Sequence, residues 1–104
     1  MDTQVQSGAV LLQKRREEID LLDLELLRLL NERARIVLEI AEIKKANAMP
    51  AYDGEREQQV LQRMCRHNQG PLESESVVTL FHALIDEFRR IGEAAMERAE
   101  VRKN

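Results

Sequence analysis

From Val10 to Ala48 the chain carries no proline and no glycine, and it is rich in Leu, Glu, Arg, Lys and Ile. Apolar residues recur at Ile19, Leu22, Leu26, Leu29, Ile36, Ile40 and Ile43, an alternating three-four spacing that marks one helix face. Pro50 biases Met49 away from helical geometry and closes the segment. At 1.5 Å per residue, some 35 helical residues extend roughly 50 Å. A compact chain of this size has a radius of gyration of only about 13 Å, so one such helix overhangs anything the remaining residues can build. Between Leu21 and Leu30 it is also apolar on more than one side, with seven leucines interrupted only by Asp23, Glu25 and Arg28. A helix apolar most of the way round needs cover on several faces. A second copy of the chain is the simplest supplier.

Two shorter helices follow. One is expected from Asp53 to about His67, with Val60, Leu61 and Met64 inward, stopped by "NQGP" with Gly70 as C-terminal cap and Pro71 just beyond. The other is expected to start near Ser74 as N-cap and to bury Val77, Phe81, Leu84, Phe88, Ile91 and Ala95. There is no repeat, low-complexity stretch or strand signal. The expected fold is therefore all-α, with three helices per chain, one of them very long, in an intertwined homodimer. Residues 1–9 are expected to be a flexible N-terminus, 10–97 the helical domain and 98–104 a frayed charged tail.

Composition narrows the function. The 104 residues are 43% hydrophobic and 34% charged, enough to build a core and unlike a disordered charged tract. Sixteen basic and nineteen acidic residues are interleaved for a net charge of −3, which gives no support to generic nucleic-acid binding. A single cysteine, Cys65, excludes an intramolecular disulfide framework, and with only two histidines it argues against structural zinc. The N-terminus has no basic region followed by a long apolar run, and no stretch is apolar enough to span a membrane, so the expected location is the cytoplasm. Cys65 and His82 read as packing or surface residues, and His67 falls near a helix end.

The placement of charges is less ordinary. In "AYDGEREQQVL" (51–61), Asp53 suits an N-cap, and Glu55 and Glu57 suit the positive end of a helix dipole, but Arg56 does not. The i, i+3 and i+4 spacing gathers Asp53, Arg56 and Glu57 on one side. On the long helix, the apolar spacing between Leu29 and Ile40 lands on Arg33. Lys44 follows eleven residues later, only about 20° round the helix, and Arg16 sits on the margin of the same stripe. Half-buried cations need anionic or hydrogen-bonding partners. One answer is that Arg33 and Lys44 snorkel from the core edge to Glu32, Glu39 or Glu42. The other is a cationic pocket of Arg16, Arg33, Lys44 and Arg56 for a small polyanion, with Asp53 and Glu57 accepting from a hydroxyl.

The stretches "RREEIDLLDLELLRLLNERARIVLEIAEIKK" and "YDGEREQQVLQRM" resemble the all-helical chorismate mutases over about residues 11 to 95. The resemblance rests on an Arg, then Asp23, "LLxERxxI", a Lys eleven residues after that Arg, and "DxxRE". It implies an isomerase that rearranges chorismate to prephenate toward phenylalanine and tyrosine, built as an intertwined dimer with two equivalent sites. It further implies that Arg33 and Arg16 bind the two substrate carboxylates, Arg16 from the opposite subunit. Lys44 would contact a carboxylate and the ether oxygen of the breaking bond. Asp53 and Glu57 would hold the ring hydroxyl, and Arg56 would add positive charge near a carboxylate. The implied catalytic residues are Arg33 and Lys44. No metal or cofactor is implied, and association with another enzyme of aromatic biosynthesis is.

The third helix departs from that pattern. Phe88 stands where the family commonly has a small or hydroxyl residue, and Gly92 where a Gln or Glu usually faces the ether oxygen. Two other functions share these features: an isochorismate–pyruvate lyase of the same fold, and a catalytically weak helical module that dimerises or regulates a partner. The long leucine-rich helix makes one expectation independent of all three. Sedimentation equilibrium at micromolar concentration should give about twice the 12.1 kDa chain mass, and a well-folded monomer would contradict the architecture.

Overall fold

The computed structural model describes residues 7–103, with side chains through residue 98. Three helices follow one another: α1 (Gly8–Ala46), α2 (Gly54–His67) and α3 (Ser74–Lys103), with no strand among the described residues. The chain divides into two compact units, residues 1–33 and 34–104.

The first unit is the leading part of α1. The helix starts two residues before the expected Val10, because Ser7 caps it: the Val10 amide donates to Ser7 Oγ at 3.2 Å. Residues 1–6 of the expected flexible N-terminus lie outside the described residues. Surface ion pairs one turn apart, Arg15–Glu18 and Arg28–Glu25, run along this part. Its leucines are exposed apart from the half-buried Leu30. Leu21, Leu22 and Leu24 are 69%, 68% and 64% exposed.

The second unit holds the end of α1 with α2 and α3, and α2 packs on α3. Val77, Ile85 and Phe88 of α3 are buried, and Phe81, Leu84, Ile91 and Ala95 half-buried, as their spacing predicts; Ile85 joins them from beside the expected stripe. Val60, Leu61 and Met64 of α2 are half-buried against them.

On α1 the covered face of this unit is not the one the isoleucines mark. Ala41 is buried, and Ala34, Val37, Lys44 and Lys45 are half-buried, whereas Ile36, Ile40 and Ile43 are exposed. The covered positions at 34 and 41 carry small side chains. The isoleucine face stays open.

The helix ends also differ in detail from the sequence reading. α1 stops at Ala46 through a Schellman arrangement: the Met49 amide donates to the Lys44 carbonyl at 2.8 Å and the Ala48 amide to that of Lys45 at 3.3 Å. Ala48 takes the left-handed position at φ 53°, a place usually left to glycine. α2 ends on Asn68, not Gly70, and Gly70 supplies a positive φ of 78° two residues later in the turn, where its amide donates to Asn68 Oδ1. Ser74 is the first residue of α3 and not its cap; the Val77 amide donates to the Glu73 carbonyl. α3 runs to Lys103, past the expected domain end at 97, since Met, Glu, Arg and Ala are good helix formers and 98–103 hold no proline or glycine. The side chains from 99 onward lie outside the described residues.

Ala48 yields a stability prediction. Replacing it with glycine removes the clash of a Cβ in the left-handed region and should stabilise the fold by about 1 kcal/mol. Urea midpoints measured at equal protein concentration would show the gain, and a lower midpoint for Ala48→Gly would contradict the left-handed turn.

Candidate active site at the start of the second helix

Asp53 determines where α2 begins. Its Oδ1 accepts from the Arg56 amide at 3.1 Å, and the Glu57 amide donates to its carbonyl at 3.2 Å. The capped start sets the rotational phase of the next turn, so Asp53, Arg56 and Glu57 emerge as the spacing predicts. Asp53 and Arg56 are exposed and Glu57 is half-buried.

Lys44 approaches the same place from α1. Its Nζ donates to the Ala51 carbonyl at 2.9 Å, two residues before the cap. This is the partner the half-buried ammonium finds, in place of Glu39 or Glu42. An ammonium has three donors, so one hydrogen bond to Ala51 leaves two for a ligand. The second unit thus brings Lys44, Asp53, Arg56 and Glu57 to the α1–α2 connection and the first turn of α2. Arg16 and Arg33 belong to the first unit, where Arg16 is exposed and Arg33 half-buried.

Glu57 is fastened from α3. Arg89 donates through Nε to Glu57 Oε2 at 2.9 Å and through a terminal nitrogen to Oε1 at 2.8 Å, a two-pronged pair between residues distant in sequence. Asp86 also accepts from Arg89 at 3.0 Å, and the guanidinium lies 5.1 Å from the centre of the Tyr52 ring. Accepting these hydrogen bonds, Glu57 pushes the already high pKa of Arg89 further up, against the opposing effect of desolvation. Sequence spacing carries no signal for this contact.

The two departures in α3 have different structural meanings. Phe88 is a buried core residue. Gly92 faces α1: a Cβ built on it would lie 3.5 Å from Val37 Cγ1, and apart from its chain neighbours and the adjacent backbone of α3 nothing else comes within 4 Å. Glu93 instead lines an open cleft of about 410 Å³ with Lys45, Pro50, Ala51, Tyr52 and Met96. Lys45 spans part of that cleft by donating to the Met96 carbonyl at 3.3 Å. Cys65 is a half-buried free thiol, and His82 pairs with Asp86 on the surface at 3.2 Å. No group of side chains able to hold a metal ion occurs among the described residues. No helix there is long and apolar enough to cross a membrane.

A family model described as chorismate mutase type II matches residues 15–93. The chain belongs to that family. Among solved structures, a chorismate mutase from Helicobacter pylori in complex with prephenate is similar at 35% identity with a TM-score of 0.77, covering 85% of this chain and 96% of that one. A chorismate mutase from Thermus thermophilus is similar at 34% identity and the same TM-score, covering 79% and 93%. Among curated proteins, a bifunctional chorismate mutase/prephenate dehydratase of Neisseria gonorrhoeae is 47% identical over 72 residues, 69% of this chain. One from Aquifex aeolicus is 37% identical over 78 residues. The chain spans about a fifth of the length of these curated relatives, 19% and 22%.

In this chorismate mutase-family chain the space beside Gly92 is open enough for a side chain. Gly92→Ala should therefore place a Cβ in ordinary contact with Val37 and stabilise α3 by about 1 kcal/mol. Denaturant unfolding checks this, and a loss of stability would mean that α1 and α3 approach more closely at Gly92 than the Val37 distance implies.

Proposed function

We propose that the protein is a chorismate mutase acting as an intertwined homodimer, with two equivalent pockets each completed by Arg16 of the opposite subunit. The observation that carries this reading is the convergence of Lys44 with the capped turn bearing Asp53, Arg56 and Glu57, in a chain matched by the family across residues 15–93. The leucines left open on the first part of α1 support the dimer, because exposed apolar area on this scale marks an interaction surface.

The rearrangement of chorismate to prephenate is unimolecular. The ether carbon–oxygen bond breaks as a carbon–carbon bond forms, with no proton transferred and no covalent intermediate. A pocket therefore acts in two ways. Arg33 and the partner's Arg16 hold the two carboxylates and so keep the enolpyruvyl arm folded over the ring. Lys44 directs a cation at the ether oxygen, which gains negative charge as its bond breaks, and so stabilises the transition state more than the ground state. Asp53 and Glu57 accept from the ring hydroxyl and set the ring's orientation, while Arg56 adds positive potential near a carboxylate. Such a pocket works without metal, cofactor or nucleophile. With glycine at 92, where the family usually has a Gln or Glu facing the ether oxygen, Lys44 is the principal donor to that atom. The expected location is the cytoplasm, and association with another enzyme of aromatic biosynthesis fits relatives whose names join mutase and dehydratase.

Incubation with chorismate, following its loss and the appearance of prephenate, tests the reading directly. A parallel incubation with isochorismate, following pyruvate release, tests the lyase alternative. The shared pocket adds a sharper prediction. Arg16→Ala and Arg33→Ala should each lower turnover by about a hundredfold or more while the helical circular dichroism stays intact. Unfolding and refolding the two inactive variants together should restore part of the activity, because a hybrid dimer with one mutation per chain retains one pocket with both arginines. Demonstrated hybrids without recovery would place both arginines in a site within one chain.

A further inference from the structure

We infer that Arg89 is a positioning residue for Glu57: it fixes the carboxylate in the orientation that receives the substrate hydroxyl, and Tyr52 in turn holds Arg89. This inference rests on the mutase reading and adds a residue from α3 to the site.

A glutamate side chain in the first turn of a helix has several rotamers, and an acceptor that wanders among them orders a ligand poorly. Glu57 does not wander, because each of its two oxygens accepts from a different nitrogen of one planar guanidinium, at 2.9 and 2.8 Å. Two parallel hydrogen bonds fix both the position and the plane of a carboxylate, which one ammonium cannot do. The pair is 34% exposed at Arg89 and 21% at Glu57, more sheltered than the surface pairs Arg15–Glu18, Arg28–Glu25 and Arg90–Glu87. A carboxylate has about four lone-pair sites, so after Arg89 takes two, Glu57 can still accept from a hydroxyl.

Arg89 is itself held on two further sides. Asp86, one turn earlier on α3, accepts from the same terminal nitrogen at 3.0 Å, and the Tyr52 ring lies 5.1 Å from the guanidinium carbon. Tyr52 precedes the Asp53 cap, and its hydroxyl would lie only 2.7 Å from a Cβ at position 54. Glycine at 54 therefore gives the ring its place over the start of α2. The arrangement links the α1–α2 connection, the first turn of α2 and the middle of α3 through one guanidinium.

A double-mutant cycle separates this role from a purely structural one. Arg89→Met should lower kcat/KM for chorismate by about tenfold, a typical coupling for residues in one network, with circular dichroism unchanged. Arg89→Lys, which keeps the charge but loses the two-pronged geometry, should fail to restore it. In a Glu57→Ala background, Arg89→Met should cost less than about twofold, since the residue it positions is gone. Tyr52→Leu should give a smaller loss than Arg89→Met that likewise disappears without Glu57. An unchanged kcat/KM in folded Arg89→Met, full rescue by lysine, or an equal loss with and without Glu57 would overturn the inference. If Arg89→Met does not fold, the same cycle is read with Arg89→Lys. A wild-type protein that leaves chorismate untouched would overturn the mutase reading and this inference together, whereas wild-type turnover with unaffected Arg89 variants would overturn this inference alone.

Discussion

The hydrogen bond from the Arg56 amide to Asp53 Oδ1 is a single local contact, yet the site geometry follows from it. A helix has a rotational phase as well as an axis, and the phase is set where the helix starts. Starting α2 one residue later would turn every side chain about 100° and carry Glu57 away from Arg89. With the cap at Asp53, the first turn presents an acid, a base and a second acid from adjacent positions on one side. The Ala51 carbonyl, just ahead of the cap, is then available to Lys44.

Three of the residues assigned to the pocket combine a structural contact with spare hydrogen-bonding capacity. Lys44 gives one of three donors to Ala51, Asp53 gives one oxygen to the cap, and Glu57 gives one lone pair of each oxygen to Arg89. Such contacts hold side chains still before a ligand arrives, so the ordering cost is met on folding and not on binding. For the proposed rearrangement, which needs a particular substrate conformer and a well-placed cation, that rigidity is the main thing a protein can contribute.

The α1 faces differ in what covers them. Small residues are covered, Ala41 fully and Ala34 in part, while the leucines between 21 and 29 and the isoleucines at 36, 40 and 43 are left exposed. A chain that spent all its large apolar residues on its own core would have no reason to associate. Among the described residues this chain leaves many of them exposed, and the proposed dimer rests on that exposure.

Much of this was legible in the sequence. Helix number, the Asp53 cap, the inward residues of α2 and α3 and the grouping of Asp53, Arg56 and Glu57 all follow from periods of 3.6 residues and from capping chemistry, which act over a few positions at a time. The family pattern of an Arg, a Lys eleven residues later and "DxxRE" was equally visible. What the sequence could not express is contact between distant residues. Arg89 lies 32 positions from Glu57, and only the packing of α3 on α2 decides that they meet. Two local choices were also not legible: Lys44 turning to the Ala51 carbonyl and not to a neighbouring glutamate, and Ala48 adopting a conformation its side chain disfavours. Local spacing determined which residues share a helix face. Which faces meet was decided by tertiary packing, because the burial of a helix face is realised only against another helix.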